Sequence, residues 1–230
     1  MNKKRIVLGI ESSCDETSVS IVRETSAHAQ EILSNIVNSQ TKLHEKSGGV
    51  IPEIAARSHS MVIDKLIDQA LLKAKVKLSQ VDAIAATAGP GLLGGLIVGV
   101  VAAKTLASVL KKPFIAINHL EGHALSAKLE HQIEYPYLLL LVSGGHTEFT
   151  IIKSFNNYSR IGTTLDDALG EAFDKSARVL GLKYPGGPEI EKYALQGDEN
   201  KYIFPKPIIC LLYTSPSPRD SDSSRMPSSA

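Results

Sequence analysis

The segment RIVLGIESSCDETSVSIVR (5–23) has a simple plan, in which an apolar run and an alternating run flank a polar loop. RIVLGI (5–10) predicts a buried strand, and the alternation in SVSIVR (18–23) predicts the returning arm of a β-hairpin. The connection ESSCDET (11–17) is rich in groups that bind ligands or hold tight turns. The chain therefore begins with a predicted hairpin whose loop carries several polar side chains.

The same plan recurs in the second half of the chain. YLLLLVS (137–143) predicts a buried strand, GGHT (144–147) a polar turn, and EFTIIKS (148–154) the return arm. Between the two hairpins, strand-like and helical patterns alternate, as they do in an α/β protein. The repeat predicts a duplicated architecture of two related lobes with a ligand cleft between them.

Composition describes an ordinary globular protein of 230 residues, with 43% hydrophobic residues and a net charge of +1. The absence of an overall basic field means that nucleic-acid binding would depend on a local patch or on partners. Two cysteines, Cys14 and Cys210, are too few for a disulfide scaffold, and no feature of the sequence lowers the pKa of Cys14. The apolar run GLLGGLIVGVVAA (91–103) is too short to cross about 30 Å of hydrocarbon, so it predicts a buried helix. With no secretory signal pattern, we expect a cytoplasmic protein without a membrane partner.

Two histidines lie four positions apart in INHLEGHALSAKL (117–129), where Asn118 is a good helix N-cap. This spacing places His119 and His123 on one helix face and suits two ligands of one metal ion. A helix start with two partly exposed histidines fits the spacing equally well. A zinc protease would need Glu directly after the first histidine, and Leu120 in that position disfavours a protease.

Three glycine-containing segments could bind an anion, and each also has a purely structural interpretation. In LVSGGHT (141–147), backbone N–H groups could approach a phosphate closely, or the glycines could form a tight turn; His146 is then a third metal neighbour or a turn residue. GPGLLGG (89–95) lacks the G-K-[ST] ending of a phosphate loop, so we favour close helix–strand packing. Gly186 and Gly187 precede a predicted helix N-terminus, which suits an anion.

The segment LDDALGEAFDKSARVLGL (165–182) predicts an amphipathic helix. Its apolar stripe comprises Leu169, Ala172, Phe173, Ala177 and Leu180. Asp174 and Lys175 lie beside this stripe. A solvated helix face is the usual explanation for such charges, and a ligand-facing Asp174 is the alternative.

Seven segments together resemble one family in order and spacing. They are GIESSCDETSVSIV, GGVIPEIAARSH, GPGLLGGLIVGVVAAKTLA, HLEGH, LLVSGGHT, DDALGEAFDKSARVLGL and YPGGP. The chain resembles, from residue 5 to about residue 207, the universal tRNA threonylcarbamoyladenosine transferase family, called TsaD in bacteria and once labelled O-sialoglycoprotein endopeptidase. The resemblance implies an α/β, actin/Hsp70-like (ASKHA) fold of two ribonuclease H-like lobes, with an N-terminal lobe at 1–133 and a partial C-terminal lobe at 134–207.

The resemblance also implies a metal-assisted acyl transfer. Threonylcarbamoyl-AMP would give its threonylcarbamoyl group to the exocyclic amine of the adenosine 3′ of the anticodon, in tRNAs reading ANN codons, and AMP would leave. Because the carbonyl is already activated, positioning and charge stabilisation suffice, and no side-chain nucleophile is required. The implied partners are tRNA, a scaffold paralogue and a small ATPase, which could dock on the helix at 91–110 or on the helix after Pro52.

The site residues carried over from the resemblance fall into three groups. His119 and His123 would hold one divalent metal ion per subunit, iron or zinc, of which we favour iron(II), with an Asp near the family's C-terminus as a further ligand. The residues implied to bind the nucleotide and acyl groups are Leu141, Val142, Ser143, Gly144, Gly145, Asp174 and Gly187. Asp15 and Glu16 of the first loop lie near the cleft in the family.

The sequence departs from the family after FPKP (204–207). There IICLLYTSPSPRDSDSSRMPSSA (208–230) replaces the rest of the second lobe, including the metal-binding Asp and a nucleotide-binding Asn. Its serine, proline and charge content predicts disorder, so Asp220 and Asp222 do not suit the ligand role. We therefore expect a C-terminally truncated copy with impaired activity.

Two other classes of protein remain alternatives. An actin-fold ATPase or sugar kinase would not need the histidine pair. A non-catalytic scaffold paralogue lacks that pair, so its presence disfavours this class.

Overall fold

The computed structural model describes residues 4–26, 29–131, 133–198 and 200–203. The chain divides into two compact units, Met1–Ile133 and Glu134–Ala230. The expectation of a disordered tail at 208–230, with Asp220 and Asp222 in it, lies outside the described residues.

The first unit is built on a five-stranded mixed sheet. Its strands are β1 (Ile6–Glu11), β2 (Glu16–Ser26), β3 (Ala29–Ser39), β4 (Ala83–Gly89) and β5 (Phe114–Asn118). They lie in the order β3-β2-β1-β4-β5, where β1 to β3 form an antiparallel meander and β4 and β5 run parallel to β1. This order confirms the predicted ribonuclease H-like lobe and the hairpin at 5–23. It also brings the carboxyl ends of the parallel strands β1, β4 and β5 to one edge, where ligands bind in open α/β sheets.

Four helices belong to this unit: α1 (Thr41–His44), α2 (Pro52–Ala74), α3 (Leu93–Leu110) and α4 (His119–Glu130). Pro52 suits the first turn of α2, because the N–H that proline lacks has no partner there. Helix α2 packs against β2, β3 and α3, while α3 packs against β4. The buried core they form includes Leu8, Ile10, Val19, Ile21, Ile63, Leu66, Ile84 and Ala103.

Helix α3 has nearly the extent expected at 91–110, and it corrects the expectation that this helix is buried. The helix continues beyond Lys104 to Leu110 and has 18 residues, which is long and apolar enough to cross a membrane by length and composition alone. It is also not buried all round. One face, formed mainly by glycine and alanine, packs on the unit, whereas Leu93, Ile97 and Val101 are exposed.

The described part of the second unit contains a three-stranded antiparallel sheet and two helices. The elements are β6 (Tyr137–Val142), β7 (Thr147–Ser154), β8 (Asn157–Thr163), α5 (Leu169–Val179) and α6 (Gly186–Ala194). The hairpin of β6 and β7 agrees with the sequence, but β8 was not predicted. Helix α5 begins at Leu169 rather than at Leu165, and its apolar stripe is mostly exposed, with Ala177 as its buried member.

Candidate functional site

The histidine pair is positioned by the start of α4. The Asn118 side chain caps this helix, since its Oδ1 accepts the N–H groups of Leu120 and Glu121 at 2.9 and 3.3 Å. The cap fixes the helix to begin at His119 and places His123 one turn later. The two Nε2 atoms then lie 3.1 Å apart, so both imidazoles point to the same place.

This geometry fits two ligands of one metal ion. Two nitrogens on a tetrahedral zinc ion lie roughly 3.3 Å apart when each Zn–N bond is about 2.0 Å. Without an ion, one shared proton accounts for the contact between the two Nε2 atoms. Among the described residues no cluster of three or more His, Cys, Asp or Glu side chains could hold a metal. The described part of the chain therefore offers two candidate ligands, both on α4.

Glu11, at the end of β1, lies behind the first histidine. Its Oε2 is 3.3 Å from Nδ1 of His119, and the Oγ of Ser13 lies 3.3 Å from the same nitrogen. A carboxylate that accepts the Nδ1–H leaves the Nε2 lone pair free for a metal, which is the usual arrangement behind metal-bound histidines. Sequence reasoning missed both residues, although a charged residue that directly follows a buried strand was a usable signal.

The Glu11 carboxylate is held as an anion. Burial raises the pKa of Glu11, but hydrogen bonds from His119, from Ser13 and from the Thr87 hydroxyl outweigh it and lower the pKa to about 2. The Ser13 N–H donates to Glu11 Oε1 at 2.6 Å. A fixed negative charge therefore faces the imidazole of His119.

An open depression of about 170 Å³ adjoins Glu11 on the sheet of the first unit. Its lining comes from β1, β2, β4 and β5 and includes the polar side chains of Glu11, Ser18, Ser20 and Thr87. Glu11 thus contacts His119 and also lines this depression.

The loop after β1 places the other predicted cleft residues. The backbone carbonyl of Asp15 accepts the N–H of Gln40 at 2.9 Å, and Glu16 begins β2 with an exposed side chain. Partial desolvation of the Cys14 thiol and the charge of Asp15 raise the pKa of Cys14 to about 12. This thiol stays protonated at neutral pH, in agreement with its interpretation as a loop residue rather than a nucleophile.

In the second unit, the turn between β6 and β7 has the tight form that the glycines suggested. The Ser143 N–H donates to the carbonyl of His146 at 2.8 Å, and Ser143 Oγ accepts the N–H groups of Gly145 and His146. Among the described residues, apart from the chain neighbours of each glycine, no atom lies within 4 Å of the place where a Cβ would stand on Gly144 or Gly145. The turn is therefore closed by Ser143 on one side and open beside its glycines. His146 is a residue of this turn.

The start of α5 lies against this turn, and the middle of α5 contacts the start of α6. The Gly170 N–H donates to the Ser143 carbonyl at 3.2 Å, and Asp174 Oδ1 accepts the N–H of Gly186 at 2.7 Å. A Cβ on Gly186 would come within 2.7 Å of Asp174 Cα, so only glycine allows this approach. Asp174 thus caps α6, while Gly187 beside it is open.

The remaining predicted residues of this segment face different environments. The Leu141 side chain is buried and Val142 is exposed, so Leu141 could reach a ligand only through its backbone. Lys175 pairs with Asp167 and Glu171 at 2.6 and 2.8 Å. These two ion pairs explain why a lysine stands at position 175 of α5.

The glycines of the segment 89–95 and of α3 serve packing, as the sequence favoured. A Cβ on Gly95 would lie 2.3 Å from the Ser12 carbonyl oxygen, and one on Gly99 would lie 2.3 Å from Ser12 Oγ. Helix α3 can therefore lie directly on the loop after β1 only because these positions lack side chains.

Fold and side chains together define an actin-like α/β protein, with a carboxylate-backed histidine pair and a glycine turn at a strand end. The family model of the tRNA N6-adenosine threonylcarbamoyltransferases (TsaD) matches residues 31–220, and the chain belongs to this family.

Curated relatives extend this match. A tRNA N6-adenosine threonylcarbamoyltransferase of Pelagibacter ubique (strain HTCC1062) is 60% identical over 208 residues, which is 90% of this chain and 58% of the relative. Its counterpart in Brucella ovis is 58% identical over 202 residues, covering 88% of this chain and 56% of the relative. The chain thus spans less than two thirds of the length of these relatives.

Solved structures resemble the chain more distantly. YeaZ from Pseudomonas aeruginosa aligns with a TM-score of 0.46 at 19% identity, over 69% of this chain and 65% of that one. An Aquifex aeolicus member of the Ppx/GppA family aligns with a TM-score of 0.43 at 14% identity, over 76% of this chain and 55% of that one.

Proposed function

We propose that the protein transfers the threonylcarbamoyl group of threonylcarbamoyl-AMP to the exocyclic amine of the adenosine 3′ of the anticodon, in tRNAs reading ANN codons. Family membership supports the reaction. The observation that carries the proposal is the convergence of His119 and His123 Nε2 at 3.1 Å, with Glu11 behind His119.

His119 and His123 are the proposed ligands of one divalent metal ion, iron(II) in preference to zinc. When bound, such an ion supplies Lewis-acid polarisation of a carbonyl and a binding point for a carboxylate. Glu11 keeps the proton of His119 on Nδ1, so that Nε2 faces the ion. The Oγ of Ser13 lies 3.3 Å from the same Nδ1 and helps to fix the orientation of the His119 ring.

The proposed adenylate site lies in the second unit. The turn of Ser143, Gly144 and Gly145 and the start of α6 at Gly187 offer backbone groups beside open space, which suits a phosphate. Leu141 and Val142 would contribute backbone, and Asp174 holds the start of α6 in place. Asp15, Glu16 and His146 are proposed as neighbours of the substrates. The protonated Cys14 agrees with a reaction in which the tRNA amine itself is the nucleophile.

The proposed partners are tRNA, a scaffold paralogue and a small ATPase in the cytoplasm. The exposed apolar residues Leu93, Ile97 and Val101 recur at every fourth position on α3. A row of this kind suits a helix-to-helix contact with a partner protein.

Metal binding tests the histidine assignment. We expect about one Zn²⁺ or, under anaerobic conditions, one Fe²⁺ to bind per chain in equilibrium dialysis. His119→Ala and His123→Ala should lose at least about tenfold in affinity, whereas His131→Ala, which removes an exposed histidine at the end of the same helix, should bind as the wild type does. Equal metal content in the wild type and His119→Ala would refute the metal site.

Transfer is tested separately. Threonylcarbamoyl-AMP labelled in its threonyl moiety is incubated with the protein, the partner proteins and tRNA that lacks the modification. The expected result is label in tRNA with the wild type and its loss with His123→Ala. Metal binding by the wild type without any transfer would retain the metal site and reject the transferase activity of this chain.

A further inference from the structure

The loop after β1 is held from outside by three contacts to consecutive carbonyl groups. The Ser13 carbonyl accepts the N–H of Leu92 at 2.7 Å, and the Asp15 carbonyl accepts the N–H of Gln40 at 2.9 Å. The carbonyl of Cys14 between them lies 3.0 Å from Nε2 of His59, on α2. His59 is therefore the one side chain in this set of three donors.

The tautomer of His59 follows from its other neighbours. Its Nδ1 lies 2.8 Å from the Thr17 hydroxyl and 3.3 Å from the amide nitrogen of Gln40, which can only donate. Because Nδ1 accepts from Gln40, the ring proton sits on Nε2 and is donated to the Cys14 carbonyl. The His59 side chain is fully buried, and burial lowers its pKa, so the ring is neutral and this tautomer is fixed.

A second buried histidine extends the network away from the loop. Gln40 Oε1 accepts the Nε2–H of His44 at 3.2 Å, and His44 Nδ1 accepts the N–H of Ile51 at 3.3 Å. Ile51 is the residue before α2. The network thus runs from the N-terminal end of α2, through two imidazoles and one amide, to the loop after β1.

The same loop and the strand end before it carry the two groups that orient His119. Glu11 and Ser13 both approach Nδ1 of His119 at 3.3 Å. Helix α3 packs on the same loop beside His59, because a Cβ on Gly95 would lie 2.3 Å from the Ser12 carbonyl oxygen and 3.1 Å from Nε2 of His59. A shift of the Cys14 carbonyl therefore moves Ser13 and Glu11 relative to His119.

We infer that His59 is a positioning residue, whose Nε2–H holds the loop after β1 so that Glu11 and Ser13 orient His119. This inference rests on the proposed function in one respect, that His119 binds the metal. The orienting contact itself does not depend on that proposal. His59 does not touch the substrate or the metal in this scheme; it acts through the Cys14 carbonyl.

Two substitutions separate positioning from simple structural support. In His59→Gln, the side-chain amide can place an N–H near the position of the original Nε2–H. In His59→Asn, the side chain is one bond shorter and cannot reach the Cys14 carbonyl. Both variants remove the same buried ring, so both lose its packing. Ser34→Ala is the matched control, because it removes another buried side-chain hydrogen bond of this unit, 2.8 Å from Ser34 Oγ to the Ala70 carbonyl.

The experiment measures the loop and the metal in each variant. NMR hydrogen exchange reports the protection of the Gln40 and Leu92 amides, ¹⁵N-histidine spectra report the tautomer of His119, and Zn²⁺ titration reports affinity. We expect His59→Asn to lose at least about tenfold in amide protection, to lose the Nδ1–H form of His119, and to bind Zn²⁺ about tenfold more weakly. His59→Gln and Ser34→Ala should stay within about threefold of the wild type in all three.

The outcomes are distinguishable from those of the proposed function. If the wild type binds no Zn²⁺, the metal assignment fails, and the exchange and tautomer measurements still decide the role of His59. If His59→Asn keeps the wild-type tautomer of His119, or if His59→Gln behaves as His59→Asn does, the positioning role is wrong.

Discussion

At the scale of single residues, the loop after β1 carries charge rather than a nucleophile. The pKa of Glu11 is lowered to about 2 and that of Cys14 is raised to about 12, so that one side chain is always an anion and the other always a thiol near neutral pH. Glu11 gains four hydrogen bonds from its surroundings, whereas Cys14 is desolvated beside the Asp15 carboxylate. This contrast suits an active site that orients reactants instead of forming a covalent intermediate.

The high pKa of Cys14 makes its reactivity testable. In a Cys210→Ser background, Cys14 should react with iodoacetamide at pH 8 at least about tenfold more slowly than the same protein unfolded in urea, because its thiolate is scarce when folded. Mass spectrometry of the alkylated peptide gives both rates. Equal rates in the folded and unfolded samples would contradict the raised pKa.

The buried His59 predicts how stability depends on pH. Burial lowers the pKa of His59 below its ordinary value of 6.5, although the Cys14 carbonyl and the nearby carboxylates oppose this shift. Just below pH 6.5, His59 therefore binds a proton in the unfolded chain but not in the folded one. The contribution of neutral His59 to the free energy of unfolding is fully present above pH 6.5. It is lost as the pH falls below this value, by at most about 1.4 kcal/mol per pH unit.

Urea unfolding between pH 7.5 and pH 5 measures this effect, in a range that stays above the ordinary pKa of Glu11. The pH dependence of the unfolding free energy should be smaller in His59→Gln than in the wild type. His131→Gln, which changes an exposed histidine, is the control and should follow the wild type. An unchanged slope in His59→Gln would show that the pKa of His59 is the same in the folded and the unfolded protein.

Part of the candidate site could be predicted from the sequence because it is local. The spacing of His119 and His123 and the cap by Asn118 depend on one turn of helix. The contact of Glu11 with His119 could not be predicted in this way, since 108 positions separate the two residues and only the strand order β1-β4-β5 brings them together. The role of His59 was hidden for the same reason.

At the scale of elements, strong patterns predicted the strands and helices well, and weak patterns did not. The continuous apolar run 5–10 and the helical spacing of apolar residues after Pro52 are clear signals. The strand and the helix that they predict both form as expected. Strand β8 was missed because NYSRIGT has few apolar residues and its side chains are largely exposed. The exposed face of α3 was also missed, because a helix with a glycine and alanine face gives little contrast between its two sides.

The close contact of α3 with the loop predicts an unusual effect of a small substitution. Gly95→Ala would place a Cβ 2.3 Å from the Ser12 carbonyl oxygen, a backbone atom that cannot simply move away. Alanine normally stabilises a helix interior by about 1 kcal/mol relative to glycine, but here overpacking should lower the free energy of unfolding by about 1–3 kcal/mol.

Gly122→Ala on α4 is the control, because in the described part of the chain no atom outside the backbone of its own helix turn lies within 4 Å of the added Cβ. This variant should be neutral or more stable by up to about 1 kcal/mol. Urea denaturation followed by far-UV circular dichroism gives both values. A gain in stability from Gly95→Ala would mean that α3 does not touch the loop as described.

At the scale of the whole molecule, the two units differ in how much they bury. The first unit has a continuous core that joins the sheet to α2 and α3. In the described part of the second unit the buried hydrophobic residues are Leu141, Ile152, Ala168 and Ala177, while Phe173 of α5 and Leu180 just after it are exposed. The duplicated hairpin predicted from the sequence is present in both units, but the stability of a lobe depends on the surface that its helices cover.

This difference predicts that the second unit unfolds first. Full burial of one large aliphatic side chain contributes roughly 1.5–3 kcal/mol, and the described part of the second unit buries two of them, Leu141 and Ile152. Hydrogen exchange with mass spectrometry, at increasing urea concentrations, compares peptides of both units within one sample. We expect β6 and β7 to lose protection at a lower urea concentration than β1 and β4, with a stability difference of several kcal/mol. Loss of protection in all four strands at a single urea concentration would instead show that the two units unfold as one cooperative body.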